Sequence, residues 1–263
     1  KSWLNESTDI GLRYKFTDNF AIKGGYESGI SQEGTAASLE VKSTVSSYGI
    51  EYSPFSFWQI EWGSRYQIQE MPQLSVKTPR LSTSLYTDLD LGKLIPAAKS
   101  IIDSSNVTYK YLYDHQEGLI SSGTLVNTDT ANTKSQWGYL TKFPIGISAY
   151  LQYLSEEESN PTTATSITRQ TPFYRLSYTM DFGMGHKLEI YGDYSVAQQR
   201  GRVTAYDKKE NGFGFTWNIP IDHPLLSSMN YGGFYKQTDY TDIGNSTNNY
   251  AANELSFQGT LVF

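Results

Sequence analysis

The sequence predicts an all-β fold: a transmembrane up-and-down antiparallel β-barrel of about 14 strands, with about 12 as the alternative. Three observations carry this reading. Apolar and polar residues alternate with period two along almost the whole chain, tight turns alternate with long polar connections, and aromatic residues gather at segment ends.

The period-two template matches about thirteen segments in order. Segments 7–16 and 20–30 are joined by "TDN" at 17–19, with Phe16 and Phe20 beside the turn. In 36–52 the apolar parity changes between Val41 and Tyr48, which predicts a bulge or a misread boundary. Segment 57–69 sets Trp58, Ile60, Trp62, Tyr66 and Ile68 against Gln59, Glu61, Gly63, Arg65 and Gln67. Segment 79–91 follows, and then "KLIPAAKSIID" (93–103), the one helical stretch, which Pro96 limits to a short turn. After 105–117, 135–143 and 147–156 comes 171–182, opposing Tyr174, Leu176, Tyr178, Met180 and Phe182 to Arg175, Ser177, Thr179 and Asp181. Segment 186–198 opposes Leu188, Ile190, Tyr194 and Val196 to Lys187, Glu189, Tyr191 and Asp193. Segment 210–219 aligns Phe213, Phe215, Trp217 and Ile219, and 227–240 and 249–263 complete the series. Short connections (17–19, 53–56, 144–146, 183–185) alternate with polar ones (31–35, 70–78, 118–134, 156–170, 199–207, 241–249). That is the signature of a hairpin meander.

Composition limits the classes of function. The 263 residues carry 38% hydrophobic and 14% aromatic residues, with 21 Tyr. Mean hydropathy is −0.48. Cysteine is absent, which excludes disulfides and thiolate chemistry. A net charge of −6 without any basic run argues against a nucleic-acid partner. No run approaches the ~20 apolar residues of a spanning helix. One domain over 1–263 is expected, and the start at Lys1 without a signal peptide suits a chain trimmed from a larger parent.

The apolar face is expected to meet lipid. Filled barrels have about eight strands, so thirteen would enclose more space than inward apolar side chains fill. Sandwiches prefer Greek-key connections to meanders. Aromatic residues also sort into two bands. Phe16, Phe20, Tyr52, Trp58, Phe143, Phe182 and Trp217 lie by the short turns, and Tyr26, Tyr66, Tyr113, Trp137 and Tyr174 by the long ones. Two such bands match interfacial girdles.

The last nine residues, "LSFQGTLVF", place Leu255, Phe257, Gly259, Leu261 and Phe263 on one face. An amphipathic last strand ending in an aromatic resembles the C-terminal signature of Gram-negative outer-membrane β-barrel proteins, the porin-like channel class. The resemblance implies a location in the cell outer membrane and contact with its lipid and lipopolysaccharide. It also implies recognition of Phe257, Leu261 and Phe263 by the barrel-assembly machinery, a periplasmic side for the short turns and an outer side for the long loops. Such barrels have even strand numbers, so either a strand precedes Lys1 in a parent chain, one segment is miscounted (36–52 or 118–134), or the N-terminus threads the lumen. About fourteen strands is the expectation and about twelve the alternative.

The expected pore lining is Arg13, Lys23, Glu27, Glu61, Arg65, Lys110, Asp114, Arg175, Asp181, Glu189, Asp193 and Lys236. Nine basic and ten acidic residues assigned inward predict a nearly neutral wall. Inward Tyr86, Tyr150, Tyr191 and Phe234 either stack on sugars or fill space, and filling is the simpler reading. His115, His186 and His223 show no nucleophile or metal-ligand spacing. Asp88 and Asp90 form a carboxylate pair at the short-turn end, "EEES" (156–159) is an acidic loop, and Arg200, Arg202, Lys208 and Lys209 could meet lipopolysaccharide phosphates. The reading is therefore a channel for passive diffusion of small hydrophilic solutes, without enzyme activity, cofactor or metal. A secretion barrel exporting a polymer or polypeptide is the alternative, followed by an outer-membrane enzyme and an adhesin or anchor.

Overall fold

A computed structural model describes residues 3–33, 40–72, 76–95, 101–117, 120–121, 124–125, 130–160, 165–201, 205–223 and 226–262. The elements are β1 (Trp3–Thr17), β2 (Phe20–Glu33), β3 (Glu40–Phe55), β4 (Trp58–Met71), β5 (Val76–Asp90), α1 (Leu91–Leu94) and β6 (Ser104–Gln116). Then follow β7 (Ile120–Ser121), β8 (Thr124–Leu125), β9 (Thr130–Lys142), β10 (Ile147–Asn160) and β11 (Thr165–Asp181). The chain finishes with β12 (Lys187–Gly201), β13 (Tyr206–His223), β14 (Leu226–Asp242), a 3-10 turn (Ser246–Asn248) and β15 (Tyr250–Val262). β7 and β8 form a separate two-stranded hairpin, and the other thirteen strands form one sheet in sequence order. The expected meander is what the chain folds into.

Each connection has a local cause. Asp90 caps α1 by accepting a hydrogen bond from the Lys93 backbone N–H at 3.1 Å, so it ends a strand instead of pairing chemically with Asp88. The residue before Pro96 is disfavoured in the helical region, consistent with α1 ending at Leu94. The turn between β11 and β12 has positive φ at Gly183, Met184 and Gly185, and Gly146 has φ 84° between β9 and β10. Side chains clash with the backbone there, and glycine does not.

The sheet corrects several expectations. Among the described residues it has thirteen strands, not fourteen or twelve, and it is not closed: β1 is paired to β2 alone and β15 to β14 alone. Strands of a meander alternate in direction, so the first and thirteenth described strands run the same way, and the pairing they offer each other is parallel, which is slightly less stable per residue than the antiparallel pairing used throughout the sheet. With closure gone, the transmembrane barrel, the porin-like channel and the export barrel lose the enclosed lumen they require. The outer-membrane enzyme and anchor readings, and the outer-membrane location itself, lose the closed barrel from which they followed. Among the described residues no helix is long and apolar enough to cross a membrane.

Local boundaries differ as well. No bulge interrupts β3 between Val41 and Tyr48, where pairing with β2 is continuous. Val45 instead points to the polar face and is buried there. The register shift lies later, between Tyr52 and Phe55. Much of the expected long connections is strand: β10 runs to Asn160, β11 starts at Thr165, and β13 starts at Tyr206.

By packing, the chain forms two units: residues 1–89, 108–136 and 156–168, and residues 90–107, 137–155 and 169–263. Among the described residues of each, most large apolar side chains of the sheet stay exposed. The buried apolar residues described are only Ala21, Val45 and Val76, whereas Leu12 is 75% exposed and Phe257 70%. The apolar face is a surface, not a core.

Candidate functional site

In the first unit, register places the polar residues of β1 to β5 in rows across the sheet. Arg13 stands opposite Lys23, Lys23 opposite Gly49, Gly49 opposite Gly63 and Gly63 opposite Ser84. The next row holds Ala21, Glu51, Glu61 and Tyr86. Glu51 therefore lies within reach of two cations. It accepts from Arg13 Nε at 2.8 Å and pairs with Lys23 Nζ at 2.6 Å, while Lys23 also approaches Glu61 at 3.6 Å. The Lys23 hydrogen bond, followed by that of Arg13, holds the Glu51 carboxyl below its usual value, and Glu51 in turn raises Lys23.

Arg65 pairs with Glu27 at 3.5 Å, Arg80 Nε donates to Asp114 at 2.8 Å, and Lys110 lies 5.5 Å from the Tyr86 ring centre. Glycine and serine floor a cavity of about 650 Å³ beside Arg13, Lys23, Glu61, Arg65 and Tyr86, with Gly25, Gly49, Gly63 and Ser84 in its lining. Arg13, Lys23, Glu61 and Arg65 each have an oppositely charged partner on the same face.

In the second unit Arg175 is the centre. Its Nε and an Nη donate to the two oxygens of Asp193 at 2.6 and 2.7 Å. Its guanidinium lies 4.4 Å from the centre of the Tyr191 ring and 5.8 Å from that of Phe173. The hydrogen bond to Asp193 raises the Arg175 pKa further above its ordinary value. Beside it, Glu210 joins Lys208 at 2.9 Å and Lys236 at 3.4 Å, and Lys236 also meets Glu254 at 3.2 Å. Burial pushes the Glu210 carboxyl up, and the two lysines overcome this and hold it low.

Of the twelve residues read as wall-lining, nine join these networks directly: Arg13, Lys23, Glu27, Glu61, Arg65, Asp114, Arg175, Asp193 and Lys236. Lys110 sits on Tyr86, Glu189 adds to the field on Arg175, and Asp181 instead accepts from the Gly183 N–H and shapes a turn. Arg80 and Glu210 escape the sequence reading. Arg80 follows Pro79 near the start of its strand, and Glu210 sits in "DKKEN", where both faces are polar and alternation gives no contrast. At the C-terminal end, Phe257 packs beside Gly233 on the apolar face and Leu261 is half exposed; Phe263 lies outside the described residues. Among the described residues no three His, Asp or Glu groups converge as a metal site. His115 neighbours Tyr113, with ring centres 6.4 Å apart.

No protein-family model and no curated protein matches this sequence. Solved structures do. The alcaligin outer membrane receptor FauA from Bordetella pertussis superposes with a TM-score of 0.55 at 9% identity, over 98% of this chain and 50% of the receptor. The siderophore receptor PirA from Acinetobacter baumannii gives a TM-score of 0.52 at 9% identity, over 97% of this chain and 57% of that one. The chain spans about half the length of these receptors. At such identity the likeness is one of fold. The porin-like assignment suggested by the terminal strand is thereby corrected: this is a large antiparallel sheet related in fold to part of those receptors, and in this chain the sheet is open.

Proposed function

We propose that this chain is a non-enzymatic amphipathic sheet that binds the acyl chains of lipids through its apolar face. The observation that carries the proposal is the exposure of that face in strand after strand. Leu12, Phe16, Leu176, Phe213, Leu255 and Phe257 all stand more than half exposed, on a sheet whose opposite face is a lattice of ion pairs. Contiguous apolar patches beyond a few hundred Å² are rare on proteins that stay alone in water. Acyl chains remove such surface from water without asking for hydrogen bonds, and the opposite face keeps its own. The edge strands still need partners for their backbone groups wherever they meet hydrocarbon.

The test is flotation with phosphatidylcholine vesicles. Leu12→Glu, Leu176→Glu and Phe257→Glu together remove about 1.5–3 kcal/mol of apolar burial each and should shift the protein out of the vesicle fraction. Gln67→Glu, Thr216→Glu and Gln258→Glu add the same charge on the polar face and should leave flotation unchanged. Equal flotation of the two triple variants, or a wild-type protein that stays monomeric in the aqueous fraction, refutes the proposal.

A further inference from the structure

We infer that the polar face of the second unit carries a binding site for a neutral, hydroxyl-rich ring, a single saccharide unit, in the trough over β13. The trough follows from register. Tyr191 faces Gly214, which faces Phe234; one step along, Asp193 faces Gly212, which faces Lys236. Two glycines thus separate two walls whose backbones stand about 9.6 Å apart, twice the spacing of neighbouring strands.

The glycines play different parts. A Cβ on Gly214 would lie 2.5 Å from the Tyr191 ring, so that position is filled by Tyr191 lying across the strand. A Cβ on Gly212 would meet nothing closer than the Asp193 Cβ at 3.5 Å, so the floor there is open. Glycine inside a strand commonly marks a place where a ligand or another backbone comes close. The cavity is about 260 Å³, below the ~300–1,000 Å³ of drug-sized pockets and suited to one ring.

The lining selects the chemistry. Phe173, Tyr191 and Phe234 bring aromatic surface; Arg175 lies over Tyr191 and Phe173, so Phe234 is the ring offered to the C–H face of a sugar. Around them, Arg175 is matched by Asp193, and Glu210 and Lys236 pair with each other and with Lys208 and Glu254. A charged ligand would be attracted by one member of each pair and repelled by the other. A hydroxyl group uses both, because it donates to a spare carboxylate lone pair and accepts from a spare guanidinium or ammonium hydrogen. The polar groups of the site lie on the face opposite the proposed lipid contact; Phe213, which carries that contact, also borders the cavity.

The experiment uses the full chain in an amine-oxide detergent, since sugar-headed detergents would compete. Methyl β-glucoside is the probe, glycine betaine the zwitterionic control, and saturation-transfer NMR with calorimetric titration the readout. Millimolar binding of the glucoside alone is expected. Gly212→Val, which fills the floor at an ordinary φ, and Phe234→Ala should each weaken it about tenfold or more, with the Gly212→Val unfolding midpoint unchanged. The inference is overturned if wild type shows no saturation transfer at about 50 mM glucoside, if both variants bind like wild type, or if betaine binds in place of the glucoside.

Discussion

Two glycines in the second unit offer a controlled measurement of what a tight turn costs. Gly146 and Gly183 have nearly the same backbone, φ 84° and 80°. They differ in their surroundings. A Cβ at Gly183 would meet nothing within 4 Å, whereas one at Gly146 would run into the Thr179 carbonyl oxygen. The Gly146 carbonyl also accepts from the Thr179 N–H at 2.8 Å, so the backbone there cannot retreat without losing that bond. Alanine at either site incurs the left-handed penalty of about 1–2 kcal/mol. At Gly146 the clash adds about 1–3 kcal/mol and the strained hydrogen bond about 1 more. Gly183→Ala should therefore lose about 1–2 kcal/mol and Gly146→Ala roughly 3–6. Urea titrations at fixed amphiphile concentration, followed by tryptophan fluorescence, compare the midpoints, with an unchanged slope showing that the transition is the same. If the two variants agree within about 0.5 kcal/mol, the contact of Gly146 with β11 is not what fixes this turn.

The ion pairs give two further expectations. Glu51 is depressed, so its contribution to stability is present above its unfolded value of about 4.3 and lost as pH falls through the folded value; Lys23, which is raised, contributes below about 10.4 and loses that contribution as pH rises through its folded value. Glu51→Gln should flatten the acid limb of a stability–pH profile, and an unchanged limb would show that the pair with Arg13 and Lys23 carries no pH-linked stability. Arg175→Lys keeps the charge and removes the two-pronged grip on Asp193; because Arg175 is partly exposed, the loss should be only about 1 kcal/mol, while the Tyr191 ring protons should shift in NMR. Unshifted Tyr191 protons would mean that the guanidinium does not hold that ring.

Much of the sheet was legible because apolar and polar residues contrast along single strands. In β12, Leu188, Ile190 and Tyr194 against Glu189, Tyr191 and Asp193 leave no doubt about face, and the structure pairs them in register with β13. The contrast fails at the ends. Residues 165–170 and 206–210 hold only Ile167 and Tyr206 among polar neighbours, too few for a period to show, yet these strands extend through them. Partners were harder to read than faces. That Glu51 bridges Arg13 and Lys23 depends on which residue of β3 lies opposite which residue of β2, a register that hairpin geometry sets. Closure was not legible at all. It depends on β1 and β15, which are far apart in sequence and carry no local mark of whether they meet.

The odd number of described strands has a consequence for the two edges of the sheet. Strands added as hairpins come two at a time, and two added to an odd number is odd, so an added hairpin leaves the outer strands of the described sheet pointing the same way. Only a single added or lost strand, which inverts every strand beyond it and exchanges the ends at which its turns lie, changes that.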